Sequence, residues 1–94
     1  MKRLKLLSEF FIAIADDHRI SIAHIGLYAA LLQYWQEHNY ENPVRLYSHE
    51  IMRIAKISAS TTFYKNIKEL NDFGYLKYKP SYNRYKRSRI TLRL

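Results

Sequence analysis

Leu70-Asn71-Asp72-Phe73-Gly74-Tyr75-Leu76 is the stretch at which the apolar period of this chain changes. Upstream, Phe63, Ile67 and Leu70 recur at intervals of three and four residues, which places them on one face of an α-helix turning about 100° per residue. Downstream, Leu76 and Tyr78 alternate with Tyr75, Lys77 and Lys79, the period of a half-buried strand. Gly74 stands at the change, where a residue able to take the left-handed conformation commonly closes a helix. A helix beginning at Ser58 or Ser60 is therefore expected to end at Gly74 and to pass directly into a strand.

Further along, Ile90, Leu92 and Leu94 alternate with Arg89, Thr91 and Arg93, which predicts a second strand. Pro80 to Arg87 joins the two as a long hairpin tip holding Tyr82, Asn83, Arg84, Tyr85, Lys86 and Arg87. From Tyr75 to Leu94 the chain holds seven of its sixteen Lys and Arg residues and no Asp or Glu. Residues 1–72 carry nine basic and eight acidic side chains, so nearly all of the net charge of +8 lies in this last part. Charge spread evenly would speak to solubility, whereas charge gathered in one hairpin makes a local field that attracts polyanions.

Before the helix of Phe63, Lys56 and Ile57 read as a turn. Ser48 is expected to cap a helix of about two turns with Ile51, Met52 and Ala55 inward. Val44 to Tyr47 predicts a short strand with Val44 and Leu46 inward, after a loop from Asn39 to Pro43. Ser21 is an N-cap candidate for a helix from Ile22 to about His38. On it Ile25, Tyr28, Leu32 and Trp35 form one face, which Leu27, Leu31 and Tyr34 widen. A helix apolar over so much of its circumference is central to the core or covered by another element, either the amino-terminal segment or a second copy of the chain. In that segment Met1 to Leu7 is basic and loosely ordered, and Ser8 is expected to cap a short helix to Ala15 with Leu7, Phe11 and Ile14 on one side and Phe10 beside them. A strand is the alternative, because Phe11, Ala13 and Ala15 also alternate.

The order helix, short strand, helix, turn, helix, strand, basic tip, strand resembles the winged helix-turn-helix family. The likeness is carried by Ile57-Ser58 before the second helix of the motif and by the Leu70 to Leu76 stretch, and it covers residues 20–94. The Tyr82-Asn83 tip also resembles small winged-helix proteins encoded on bacterial mobile elements. The resemblance implies an α+β fold: a three-helix core, a small antiparallel sheet with a basic wing, and an extra N-terminal segment, residues 1–19, as core cover or dimer contact. It implies double-stranded DNA as partner, with the second helix of the motif in a major groove and the wing on the neighbouring backbone. Carried over by position, the groove-facing residues are Ser60, Thr61, Tyr64, Lys65 and Lys68, and the wing contacts are Arg84, Lys86 and Arg87 with Tyr82 and Asn83 near them. The recognition helix so defined has no Arg, the commonest partner of guanine, so binding is expected to lean on the backbone. Transcriptional regulation is the expected role. The alternatives are an accessory factor in replication or transfer of a mobile element, and a winged-helix module that binds another protein, because fold does not fix function.

The same residues have plainer readings. Thr61, Lys65 and Lys68 could be a solvated helix face, Arg84, Lys86 and Arg87 a soluble turn, Tyr75 and Tyr78 sheet packing, and Trp35 core or interface. His18, His24, His38 and His49 fall at no metal-ligand spacing, and there is no cysteine to join them. Asp16, Asp17 and His18 read as a polar loop before a helix. No Ser, His and acid set supports nucleophilic catalysis, so neither enzyme activity nor a cofactor, metal or small-molecule ligand is expected. Ninety-four residues, 48% of them apolar, suffice for one core. The absence of cysteine, a broken apolar run after Lys5 and no membrane-length segment point to a cytoplasmic protein. A homodimer is expected of a regulator, because paired half-sites match a two-fold protein.

Overall fold

The computed structural model describes residues 2–81 and 87–92, with side chains from residue 5 onward. It is an α+β fold with four helices and three strands among the described residues: α1 (Lys2–Ile14), α2 (Ile22–Glu37), β1 (Val44–Leu46), α3 (Ser48–Ala55), α4 (Ser60–Asp72), β2 (Leu76–Lys79) and β3 (Ser88–Leu92). The strands form an antiparallel sheet in the order β1-β3-β2. Val44 pairs with Ile90 and Tyr78 also pairs with Ile90, so one row of apolar residues crosses all three strands on the inner face. Asn42 extends the β1 edge: its side-chain amide donates to the Leu92 carbonyl at 3.2 Å and its side-chain oxygen accepts from the Leu92 N–H at 3.3 Å.

α2 is the central element, packed by α1, α3 and α4. That enclosure explains its apolar circumference, with Leu27, Tyr28, Ala30, Leu31, Leu32, Tyr34 and Trp35 all buried. The indole N–H of Trp35 donates to the Glu41 carbonyl at 2.9 Å, so the largest core side chain also fixes the loop into β1. Ser21 caps the helix, its Oγ accepting from the His24 N–H at 3.5 Å. The sequence reading overlooked the reciprocal contact. The Ser21 N–H donates to His24 Nδ1 at 2.8 Å, so Nδ1 is the bare nitrogen and Nε2 carries the proton that reaches Glu69 Oε1 at 3.2 Å. One buried histidine thus completes a capping box and ties α2 to α4.

α1 corrects two expectations. It begins at Lys2, not at Ser8, and its buried side is not the expected Leu7, Phe11 and Ile14; it is the helix expected there and not the alternative strand. Its buried line is Leu6, Phe10 and Ile14, spaced i, i+4, i+8, while Phe11 is 47% exposed and Leu7 only partly covered. The reason is the partner surface: Phe10 stacks flat on Tyr28 of α2, ring centroids 3.9 Å apart, and meets Tyr75 edge-on at 5.6 Å. Leu6, Phe10 and Ile14 lie on one side of this helix, whereas Phe11, Ala13 and Ala15, whose alternation suggested a strand, are all exposed. The segment that follows is latched to the other end of the domain. Asp17 pairs with Arg19 at 2.8 Å and accepts from the Tyr75 hydroxyl at 2.6 Å, and the Arg19 guanidinium lies 4.1 Å from the Phe73 ring centre.

α3 and α4 form the helix pair that the sequence places before the hairpin. Ser48 is the first residue of α3 and not its cap; the entry is held by the Glu50 carboxylate, which accepts from the Tyr47 N–H at 3.0 Å. Lys56, at φ 62°, makes the left-handed turn out of α3. α4 begins at Ser60, one of the two starts expected, with Ala59 at its N-cap position and no side-chain cap. Ile51 of α3 is fully buried, whereas Met52 and Ala55 are only partly so. α4 ends at Asp72, and Gly74, at φ 89°, turns the chain into β2 within two residues.

Candidate nucleic-acid interface

α4 has two unlike faces. Phe63, Ile67 and Leu70 are completely buried, and Asn66, also buried, donates its side-chain amide to the Thr62 carbonyl at 2.8 Å one turn back. Ser60, Thr61, Tyr64, Lys65 and Lys68 are all exposed on the other side, as are Thr62 and Asp72. The five residues singled out from the sequence therefore share one solvent-facing surface. Because the opposite face is packed and Glu69 is bonded to His24, that surface is presented by a rigid helix.

Tyr64 links this surface to α3, donating its hydroxyl to Ser48 Oγ at 3.3 Å with its ring edge-on to Phe63 at 5.2 Å. Toward the hairpin, a groove of about 450 Å³ runs between α4 and the end of β2, lined by Tyr64, Lys68, Asn71, Asp72, Tyr78, Pro80 and Ser81. Its floor is set by Asn71, whose side-chain oxygen accepts from the Tyr78 N–H at 2.9 Å and whose amide donates to Asp72 Oδ1 at 3.2 Å. The bond to Tyr78 ties the end of the helix to the hairpin, and the bond to Asp72 orients the Asn71 side chain that makes it. Asn71 was missed in the sequence because a polar residue at the end of a helix has no periodicity to mark it. Asp72 places one negative charge in the groove, a feature any anionic ligand must avoid or offset.

Of the wing residues, Tyr82, Asn83, Arg84 and Lys86 lie outside the described residues, as do Tyr85, Arg93 and Leu94. Arg87 is exposed, and its guanidinium sits 5.2 Å from the ring centre of Tyr47, at the junction of β1 and α3. The base of the hairpin is therefore joined to the helix pair on both sides, by Asn71 and by Tyr47.

Tyr78 packs in the sheet as expected, whereas Tyr75 lies just before β2 and packs on Phe10 of α1. Burial and the Asp17 carboxylate beside it push its hydroxyl pKa up, while the Arg19 side chain and then the Tyr75 hydroxyl hold Asp17 well below the usual carboxylate range. The Asp17 loop is thus a structural clasp. The other histidines are accounted for by stacking or exposure: His38 lies flat on Tyr34 at 4.0 Å, His49 on Tyr47 at 5.5 Å, and His18 is exposed. Among the described residues no three His, Asp or Glu side chains are grouped to hold a metal ion, and no helix is long and apolar enough to cross a membrane. Comparison with protein-family models, with curated proteins and with solved structures finds no match for the chain.

Proposed function

We propose that the chain is a winged helix-turn-helix protein that binds double-stranded DNA, with α4 entering a major groove and the β2–β3 hairpin serving as wing on the adjacent backbone. The observation that carries this reading is the two-faced α4. One side is locked into the core, and the other offers two hydroxyls, a phenol and two ammonium groups beside a hairpin rich in Lys and Arg. Hydroxyl and amide groups at such a surface position a protein on DNA, and side chains reaching base edges specify sequence. Regulation of transcription in the cytoplasm is the role this supports best, and the same contacts would serve an accessory factor in replication or transfer of a mobile element.

The test is an anisotropy titration of the protein with mixed-sequence duplex and with single-stranded DNA over a range of salt. Engagement of about five phosphates gives a logarithmic salt slope of about −4 to −5, and a dimer approximately doubles it. No duplex binding at low salt refutes the reading.

One observation favours a protein partner instead. Phe11, Ile12 and Ile22 are 47%, 73% and 89% exposed on α1 and at the start of α2, an apolar surface remote in sequence from the hairpin. In the DNA-binding reading this surface joins two copies of the chain. Light scattering at two protein concentrations decides, and a monomer at both removes the homodimer.

A further inference from the structure

The outer face of the sheet carries a row of cations that the wing reading does not use. Strand pairing sets Arg45 of β1 opposite Arg89 of β3, and Arg89 in turn opposite Lys79 of β2. Their neighbours Val44, Leu46, Tyr78 and Ile90 point into the core, so the alternation of a strand turns all three cations outward, and all three are exposed. Directly opposed side chains on one face have Cβ atoms about 4.5–5.5 Å apart, and like charges so placed repel. Among the described residues none of the three is ion-paired.

The row opens into a groove of about 570 Å³ lined by Arg45, Tyr47, Lys79, Pro80, Ser81, Arg87 and Arg89, none of them acidic. Arg87 is steadied over the ring of Tyr47. Glu50, at the start of α3 next to Tyr47 in the fold, has its carboxylate occupied by the Tyr47 N–H and the Tyr34 hydroxyl. The simplest use of charges on a small sheet is to blunt its edges against pairing with another chain. That accounts for Arg45 and Lys79 on the outer strands. It does not account for Arg89, because β3 is the middle strand and is paired on both sides.

We propose that this face is a second, sequence-independent site for the phosphate backbone of duplex DNA, separate from the exposed face of α4. The row crosses two strand spacings, about 9.5 Å. Over that length one strand of duplex carries about three phosphates, matching three cations whose mutual repulsion a polyanion relieves. Because α4 packs on the inner side of the sheet and these residues face outward, a duplex lying along α4 reaches the row only by bending around the end of β2. Otherwise a second segment of duplex fills it. The inference rests on the DNA-binding reading and extends it from one contact surface to two.

The experiment compares wild-type protein with the Arg45→Gln/Lys79→Gln/Arg89→Gln variant on mixed-sequence duplex over a range of salt. A variant that removes the same charge elsewhere, Lys5→Gln/Arg53→Gln/Lys56→Gln, serves as control. At about 0.9 per phosphate, the row variant should flatten the logarithmic salt slope by about 2.5 to 3 and bind at least about tenfold more weakly at low salt, with preference among duplex sequences unchanged. The control variant should change the slope by less than about 1. The row variant should melt at or above the wild-type temperature at low salt, because repulsion has been removed. Should it fail to fold, Arg89→Gln alone carries the test with a flattening of about 1. An unchanged slope in a wild type that binds duplex overturns this assignment alone, as does a loss confined to single strands or to phosphatidylserine vesicles. A wild type that binds no duplex overturns both readings.

Discussion

Replacing Phe10 with Ala tests whether α1 belongs to the domain's core. The ring is 4% exposed, stacked on Tyr28 and edge-on to Tyr75, so its removal deletes two aromatic contacts together with the buried area. Phe to Ala in a core costs about 3–5 kcal/mol, and aromatic pairing contributes part of that. Here the ring borders a surface recess lined by Leu6, Glu9, Ala13, Tyr28, Gly74 and Tyr75, so water or neighbouring side chains can fill some of the space. That relaxation places the loss near the lower end, about 3 kcal/mol. At about 4–8 °C per kcal/mol for a domain of this size, the melting temperature should fall by about 12–24 °C. Urea unfolding followed by far-ultraviolet circular dichroism measures the free energy, and a thermal scan measures the shift. Duplex affinity of the folded protein at low temperature should stay within about twofold, since no residue of the α4 surface touches Phe10. A loss below about 1 kcal/mol would show that α1 is not seated on α2 as described.

Lys65→Gln/Lys68→Gln separates two kinds of DNA contact: if both ammonium groups meet phosphates the salt slope flattens by about 2, whereas base contacts leave the slope and relax discrimination by about 1–3 kcal/mol per position. Titrations on specific and scrambled duplexes decide, and no change in either quantity removes α4 as the contact surface. The two glycines should respond with opposite sign to Ala. Gly26 lies in α2 with open space around a new Cβ, so Ala stabilises by about 0.5–1 kcal/mol; Gly74 also has space but sits at φ 89°, so Ala there destabilises by about 1–2 kcal/mol through the backbone alone. Urea midpoints measure both, and equal responses would contradict the backbone argument. Asp17 has a depressed pKa in the fold, through Arg19 and then Tyr75. Its contribution is therefore complete above the ordinary carboxylate range, near pH 4, and is lost as pH falls through the lowered folded value. Asp17→Asn should lose less stability than wild type between pH 5 and pH 3, and parallel curves would refute the clasp.

Local periodicity made most of the elements legible. The change of period around Gly74, the Ser21 cap and the alternation of Val44 and Leu46 each depend on neighbours within a few residues, and each fell where expected. The exposed side of α4 could be read for the same reason, since Phe63, Ile67 and Leu70 commit one face to the core and leave Thr61, Tyr64, Lys65 and Lys68 on the other. α1 was less legible. Its residues satisfy a helix or a strand almost equally, and the choice is made by Tyr28, eighteen positions after Phe10, through ring stacking that no local pattern records.

Local pattern was enough to locate the helices and strands other than α1, to name most residues apolar enough to be buried, and to place the excess positive charge in the last hairpin. These follow from covalent spacing and side-chain chemistry, which are properties of short segments. Tertiary structure alone decided that His24 closes a cap and reaches Glu69, that Asn71 ties the end of α4 to the hairpin, and that Asp17 fastens the first loop to Tyr75. It also decided that Arg45 joins Arg89 and Lys79 in one row. Each of these depends on the register of a sheet or the packing of two helices, and such long-range pairings are fixed only when the whole core closes.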